Sequence, residues 1–417
     1  MRISRYAMLV LATLVVAGCG TVHQTASSSV SRSGAGSRTV SSQSDTSLSA
    51  SASASVVSAP STTASSSSAS HPTVPMWIDM ITTSGGWGVR SSGALLRTTD
   101  GGATWKNVSP SGNVSPGNAR NGAFLNASDA WVAEVSETLP NNAHPVPITI
   151  EHTDNGGQSW TSAKFYAYTL GAVDLSFANS EDGWAWVGNG VATAQESSTL
   201  FATTDGGTSW TQVAAAFTPG VTGKGYPGGC CKEGFSFINA STGWISGNNF
   251  GFAPTMPFVK TTDGGKTWST QPLPLAPSVS AQANDGQGNM TVTAPVFHGT
   301  DGAICVQVGM GYQSYIVEFF TSTDAGNRWT GTTPLNDPLG CANWGFPSPG
   351  HLWVTDEHGI AVSHNEGSSW QAITPTGLTL QSTTYLDFLT PADGWAVGNG
   401  AVLKTTDGGT TWTKVSW

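Results

Sequence analysis

The amino-acid sequence predicts an all-β fold, a seven-bladed β-propeller of four-stranded antiparallel blades. An eight-residue pattern, Thr/Ser-x-Asp/Asn-x-Gly-x-x-Trp, occurs seven times, and a large apolar residue precedes a Trp at a fixed distance upstream of nearly every copy. Between these landmarks, short runs of β-forming residues alternate with Gly, Asp and Ser turns, which is typical of strands. Each repeat therefore predicts strand A, a tight turn, strand B, a connection, strand C, the eight-residue pattern as a turn, and strand D.

The seven eight-residue segments, called box turns here, share two positions that carry the structural argument. The third residue is Asp100, Asn155, Asp205, Asp263, Asp324, Asn365 or Asp407. The eighth residue is Trp105, Trp160, Trp210, Trp268, Trp329, Trp370 or Trp412. An Asp can accept hydrogen bonds from amides of its own turn, a Gly permits positive φ, and a Trp fills space between blades. Because Asn accepts hydrogen bonds without a charge, we expect a structural acceptor, not an acid or base.

The second repeat sets the first two strands of each blade. A large apolar residue and a Trp, or Ile304 in the fifth copy, stand seven positions apart every time. The pairs are Met80/Trp87, Phe124/Trp131, Phe177/Trp184, Phe237/Trp244, Phe297/Ile304, Phe346/Trp353 and Phe388/Trp395. Since neither this spacing nor the box turn changes in length, all length variation falls in the B-to-C and D-to-A connections.

These box turns resemble the Asp-box, the bacterial neuraminidase repeat, over residues 76–417. In that superfamily the box joins strands C and D of a propeller blade. The full-length pattern is most similar to the photosystem II assembly and stability factor-like group. We expect the ring to close by packing between the first and seventh blades, without an exchanged strand.

The first 19 residues predict a lipoprotein signal. Arg2 and Arg5 precede an apolar run over 6–17 that is shorter than the roughly 20 residues needed to span a bilayer. The segment Val16-Ala17-Gly18-Cys19 resembles a bacterial lipobox, which implies cleavage before Cys19 and lipidation of its thiol. An ordinary signal peptide with a chance cysteine is the alternative.

Three segments are expected along the chain: the signal over 1–19, a linker over 20–73 and the propeller over 74–417. The linker is dominated by Ser, Ala and Thr, which cannot bury enough apolar surface to offset ordering, so we expect disorder. The whole chain carries a net charge of −10, which disfavours nucleic-acid binding and attraction to acidic lipids. The protein is therefore expected outside the cytoplasm, held to the cell membrane by its lipid alone.

Strand alternation divides the predicted disc into two faces. The A-to-B turns and the box turns share the box face, whereas the B-to-C and D-to-A connections share the opposite, connection face. The long connections belong to blades two to five, and loops of this kind often carry binding. Six tyrosines lie in or beside the connections: Tyr166, Tyr168, Tyr226, Tyr312, Tyr315 and Tyr385. They offer rigid contact area for a protein or glycan, although capping of blade edges is the alternative.

Catalysis is the less favoured hypothesis, and no catalytic residue is assigned. A sialidase would need three convergent arginines, but only four arginines follow residue 73, and Arg97 and Arg328 belong to the box face. Two-carboxylate glycoside hydrolysis has weak candidates in Asp79 and Asp387, which precede the A-strand apolar residues of blades one and seven.

Asp174 and Glu233 are further acids on the predicted inner strands of blades three and four. We expect such acids to be hydrated or hydrogen-bonded in the central channel, not catalytic.

Four cysteines follow Cys19, and their three possible pairings stay open. Adjacent Cys230 and Cys231 lie in the long connection before blade four, where a bridge between them would stiffen the binding face. Cys305 has apolar neighbours and is expected to be a buried free thiol, and Cys341 precedes blade six. No metal or cofactor is expected, because a box turn offers too few oxygens for Ca²⁺.

The leading functional hypothesis is a monomeric, non-catalytic module that binds a protein or a glycan through the connection face of blades two to five. A polysaccharide hydrolase is the first alternative. An assembly factor for a membrane complex is the second, and it is weakened because the resemblance implies a basic patch whereas this chain is acidic.

Overall fold

A computed structural model describes residues 74–110, 122–135, 144–192, 195–216, 224–228, 232–248, 258–283, 289–309, 315–337, 340–341, 343–355 and 359–416. Cys19, Tyr312, Cys230 and Cys231 lie outside these residues, as do the expected signal and linker segments.

The prediction of a seven-bladed β-propeller is confirmed. Seven antiparallel sheets follow one another along the chain, and in each sheet the strands neighbour one another in sequence order. The first three blades contain β1 (Trp77–Met80), β2 (Gly86–Val89), β3 (Leu95–Thr98) and β4 (Lys106–Asn107); β5 (Gly122–Phe124), β6 (Ala130–Val135), β7 (Val146–Thr153) and β8 (Thr161–Ala167); and β9 (Ala172–Phe177), β10 (Gly183–Ala192), β11 (Gln195–Thr203) and β12 (Thr211–Ala216).

The fourth blade and the last two keep the same four-stranded order. Their strands are β13 (Lys232–Phe237), β14 (Gly243–Gly247), β15 (Phe258–Thr261) and β16 (Ser269–Thr270); β23 (Trp344–Ser348), β24 (His351–Thr355), β25 (Ile360–Ser363) and β26 (Gln371–Ile373); and β27 (Thr383–Phe388), β28 (Gly394–Gly398), β29 (Ala401–Thr405) and β30 (Thr413–Ser416). A 3₁₀ turn, Leu380–Ser382, precedes the last blade.

Blade five departs from the four-stranded pattern. It comprises β17 (Met290–Val292), β18 (Val296–His298), β19 (Asp301–Gly309), β20 (Tyr315–Ser322), β21 (Thr330–Gly331) and β22 (Leu335–Asp337). Both β17 and β18 pair with β19, so they form one interrupted inner strand, and β21 and β22 together form the outer strand beside β20. A short helix, α1 (Pro277–Ala283), precedes this blade and buries Val279 against its core.

The first strands line the centre of the ring, since neighbouring first strands such as β5 and β9, β9 and β13, and β23 and β27 contact one another. The ring closes between blades seven and one, where β27 contacts β1. There the Nε1 of Trp395 donates to the carbonyl of Gly101 at 2.9 Å, and the rings of Trp77 and Tyr385 lie 6.0 Å apart. In the part of the chain that the structure describes, no helix is both long and apolar enough to cross a bilayer.

The core is divided among the contacts between blades, called seams here. The second-strand tryptophans are among the largest fully buried side chains. Each of them contacts the next blade, through a phenylalanine ring or, for Trp395, through the Gly101 carbonyl. Burial of an aromatic side chain of this size contributes about 1.5 to 3 kcal/mol. The seams, more than any single blade, therefore hold the ring together.

Candidate functional site

The box turns use their acidic groups internally. The Oδ1 of Asp205 accepts from the Ser209 amide at 2.9 Å and from the Thr203 hydroxyl at 2.7 Å, while its Oδ2 accepts from the Ser209 hydroxyl at 2.6 Å. The hydrogen bond from the Ser209 side chain is the largest cause that lowers the pKa of Asp205 below its usual value. The carboxylate therefore serves the turn, which leaves it unsuited to acid or base chemistry.

The two amide-bearing box turns keep the same geometry. The Oδ1 of Asn155 accepts from the Ser159 amide at 3.0 Å, and its Nδ2 donates to the Ser159 hydroxyl at 2.7 Å. The hydroxyl thus changes from donor to acceptor, and the contact between the third and seventh residues of the turn is kept. The fourth position has positive φ throughout; it is glycine in five turns but Ala325 at 57° and Glu366 at 58° in the other two.

The box turns also join neighbouring blades. Trp131 donates through Nε1 to the carbonyl of Gly206 at 2.8 Å, and Trp184 donates to the carbonyl of Gly264 at 3.0 Å. These carbonyls belong to the box turn of the following blade. The box face is consequently occupied at these seams by structural contacts.

Two connections leave the face on which they were predicted. The carbonyl of Lys224, before blade four, accepts from the Trp268 amide at 2.8 Å, and that of Thr376, before blade seven, accepts from the Trp412 amide at 2.8 Å. Both amides stand at the ends of box turns. The prediction that all length variation stays on the connection face is therefore wrong here. The fourth strand of each of these blades is short, so a connection can run beside it and hydrogen-bond to the box turn.

The tyrosine candidates divide by burial. Tyr226 is buried, with its hydroxyl 3.2 Å from that of Ser198, and Tyr385 is buried against Trp77. Neither ring is available to contact a protein or glycan ligand, because each is packed in a seam. Tyr168 and Tyr315 are half-buried.

Tyr166 is the exposed member, with 65% of its surface accessible, and Leu170, which follows strand β8, is 52% accessible. The amide of Leu170 donates to the carbonyl of Gly188 at 3.3 Å, which fixes it beside the long hairpin of β10 and β11. Strand β8 runs away from its box turn, so its last residues and Leu170 reach the connection face. These two exposed residues at the end of blade two are called the Tyr166/Leu170 patch here. Phe165 packs against Phe201 of blade three, so Tyr166, the next residue of the strand, faces the other side of its sheet.

An ion pair buried between blades three and four was missed at the sequence level. Glu196 accepts from the backbone amide of Lys232 at 2.7 Å, and its Oε2 lies 3.5 Å from Nζ of the same residue. The two side chains are 9% and 6% exposed, and burial lowers the pKa of Lys232 while Glu196 opposes that shift. The feature of the sequence that could have indicated this ion pair is a single glutamate, Glu196, next to a run of Ser and Thr in a predicted strand.

Of the carboxylates considered for hydrolysis, Asp79 lies on β1 and Asp387 on β27, and these two strands contact each other where the ring closes. Asp79 is buried and Asp387 half-buried, and each stands opposite the Trp of its own second strand. Glu233 neighbours the buried ion pair, and its pKa is raised by burial and by the charge of Glu196. No described group of three or more His, Cys, Asp or Glu side chains is arranged to hold a metal.

Cys305 and Cys341 form a disulfide, with their Cα atoms 6.0 Å apart. The prediction of a free thiol at Cys305 is wrong. Its strand, β19, extends toward the connection that enters blade six, where the Cys341 amide donates to the Gln307 side chain at 2.5 Å. The bridge thus ties blade five to the segment before blade six.

Comparison with known proteins supports the fold. No family model and no curated protein matches this sequence. Among solved structures, "YCF48 bound to D1 peptide" is similar at 14% identity and a TM-score of 0.50, covering 80% of this chain and 94% of that one. YCF48 from Cyanidioschyzon merolae is 14% identical with a TM-score of 0.46, covering 81% and 97%. A GH74 enzyme of Niastella koreensis is 12% identical with a TM-score of 0.32, covering 80% and 67%.

Proposed function

We propose that this protein is a non-catalytic binding module that takes a protein partner on the connection face, at the Tyr166/Leu170 patch. The observation that carries the proposal is the exposure of both side chains, 65% and 52%, four residues apart where blade two reaches the connection face. Apolar side chains that stay exposed together are typical of interaction sites. A tyrosine adds rigid area at low entropic cost.

A protein partner fits this patch better than a glycan. Leu170 offers neither a hydrogen-bonding group nor a ring for a sugar to stack on, whereas it can pack against an apolar side chain. The structure of YCF48 with a D1 peptide supports the class of partner, since that propeller binds a peptide. At 14% identity the likeness extends to the fold alone, so the D1 peptide is not carried over to this chain as its partner. An assembly factor would be one kind of such binding module.

We also propose that the box turns are Asp-boxes and that the chain is a lipoprotein anchored at Cys19 outside the cytoplasm. The disulfide between Cys305 and Cys341 supports an oxidising compartment, because such bonds are rare in reducing ones. Metabolic labelling with a palmitate analogue tests the anchor. Label that persists in Cys19→Ala would exclude lipidation at this residue.

Site-specific crosslinking tests the partner surface. A photoreactive residue at position 166 in cells should trap a discrete protein, and Leu170→Ser should reduce that product several-fold. The matched control places the photoreactive residue at Met76, which is 50% exposed in blade one. An equal product from position 76 would refute the patch.

Two other outcomes would replace the protein-binding proposal. Tight binding on a glycan array that is lost in Tyr166→Ser would assign a sugar ligand. Polysaccharide hydrolysis that disappears in Asp79→Asn or Asp387→Asn would assign catalysis.

A further inference from the structure

The geometry of blade six points to a site for a divalent transition-metal ion between His351 and His364, on the box face. His351 opens β24, and His364 follows the last residue of β25. Leu352 pairs with Ser363 in the ladder, so the two histidines extend that register by one position. Neighbouring antiparallel positions place their side chains about 4.5 to 5.5 Å apart, within reach of a single ion.

The two imidazoles are in contact. Their ring centroids lie 5.2 Å apart with an interplanar angle of 73°. His364 is exposed and His351 half-buried, so solvent and ions have access to the pair. Both rings also line a shallow pocket with Pro347 and Pro391. This opening leaves space for further ligands.

The hydrogen bonds of His351 prepare one of its nitrogens for a metal. Its Nδ1 lies 3.1 Å from the carbonyl of Pro349 and 2.9 Å from the hydroxyl of Ser348. A carbonyl only accepts, so the proton belongs on Nδ1 and the lone pair on Nε2. A ligating histidine usually donates its other N–H to a carbonyl in this way, which fixes the ring and increases its basicity.

The chemistry of the ligands selects the metal. Imidazole suits Cu²⁺, Zn²⁺ and Ni²⁺, whereas Ca²⁺ and Mg²⁺ prefer oxygen. In the described residues no third His, Cys, Asp or Glu joins the pair, so water or a partner's side chain completes the coordination. The net charge of −10 favours the approach of cations. Among divalent ions, Cu²⁺ should bind most tightly.

Titration of the full-length, tag-free protein with Cu²⁺ tests this site, with calorimetry for affinity and electron paramagnetic resonance for the ligands. The spectrum should show two nitrogen ligands. Each of His351→Ala and His364→Ala should remove one nitrogen and weaken binding at least about tenfold. The control is His144→Ala, an exposed histidine of blade two whose Nδ1 also lies near a proline carbonyl, at 3.2 Å; it should bind as the wild type does.

Thermal unfolding without metal checks whether each variant still folds, since His364 is exposed and His351 is half-buried. Variants that unfold as the wild type does but have lost the nitrogen signal would support the site. Only oxygen ligands in the wild-type spectrum, or equal Cu²⁺ affinity in the wild type and both blade-six variants, would overturn it. Since the patch at Tyr166 lies on the opposite face, its failure as a partner surface would leave this result unchanged.

Discussion

Two seams of the ring use the same pair of residue types in different ways. Between blades three and four, Trp184 stacks on Phe237 with centroids 3.7 Å apart and planes 4° from parallel. Between blades six and seven, Trp353 and Phe388 stand 5.3 Å apart at 61°. The indole of Trp184 donates to a box turn, whereas that of Trp353 has no acceptor among the described residues. Matching residues alone therefore do not determine how blades pack.

The surroundings of each seam explain the difference. The seam between blades three and four is also joined by the buried ion pair of Glu196 and Lys232. The seam between blades six and seven instead has Pro347 near the end of β23 and Pro391 in the A-to-B turn of blade seven, and both line a shallow pocket. We infer that the first seam is a rigid joint and the second a more open one.

The largest expected effect comes from breaking the rigid seam. Glu196→Gln removes the negative charge that faces the buried Lys232 ammonium, so we expect a loss of about 3 to 5 kcal/mol in the free energy of unfolding. Chemical denaturation measures this loss. The control, Glu181→Gln, changes an exposed glutamate of the same blade and should cost less than about 0.5 kcal/mol. Equal losses would show that the pair does not join the blades.

The indole hydrogen bond gives the next largest difference. Trp184→Phe removes the donor for the Gly264 carbonyl, whereas Trp353→Phe removes a buried donor that lacks an acceptor among the described residues. Both changes lose similar ring volume, so the hydrogen bond should make Trp184→Phe the more costly by about 1 to 3 kcal/mol. Urea unfolding of the two variants measures the difference. Identical losses would mean that indole bonding contributes nothing to seam strength.

The sequence predicted the blades better than the seams, for a physical reason. A box turn is local: Thr203, Asp205 and Ser209 satisfy one another within seven residues, so the pattern can be recognised directly. The Glu196 and Lys232 contact joins residues of different blades, and no spacing rule relates them. Connection geometry decides such contacts, and connections vary in length from blade to blade.

The candidate site shows the same limit. The sequence predicted tyrosines near connections as contact residues, but the exposure of each one depends on how its connection folds back, which buries Tyr226 and leaves Tyr166 accessible. The disulfide of Cys305 likewise depends on a segment 36 residues away. Local pattern therefore predicted the scaffold, and long-range packing decided which side chains it presents.

Backbone strain should also distinguish the box turns of blades four and six. Blade four has Gly264 at the fourth box position with φ of 74°, whereas blade six has Glu366 there at 58°. A residue with a side chain costs about 1 to 2 kcal/mol in this backbone conformation, and glycine avoids that cost. Glycine also makes the unfolded chain more flexible, which offsets part of the gain in stability. We expect Glu366→Gly to stabilise by up to about 1 kcal/mol and Gly264→Ala to destabilise. Calorimetric melting checks both signs, and a stabilising Gly264→Ala would contradict the strain argument.

Acid should weaken the box turn that supports the rigid seam, and this is the smallest expected effect. Burial acts to raise the pKa of Asp263, but hydrogen bonds led by that of the Thr267 side chain lower it below 3.8 overall. A carboxyl with a lower pKa in the folded state stabilises the protein above its unfolded value, and this contribution is lost as the pH falls through the folded pKa. Asp263→Asn should remove the contribution of this carboxyl to acid unfolding. The turn itself should persist, because the box turn of blade two has Asn155 at the same position. Fluorescence-monitored acid unfolding between about pH 5 and 2 should therefore show a shallower decline in the variant, and parallel curves would assign the sensitivity to other groups.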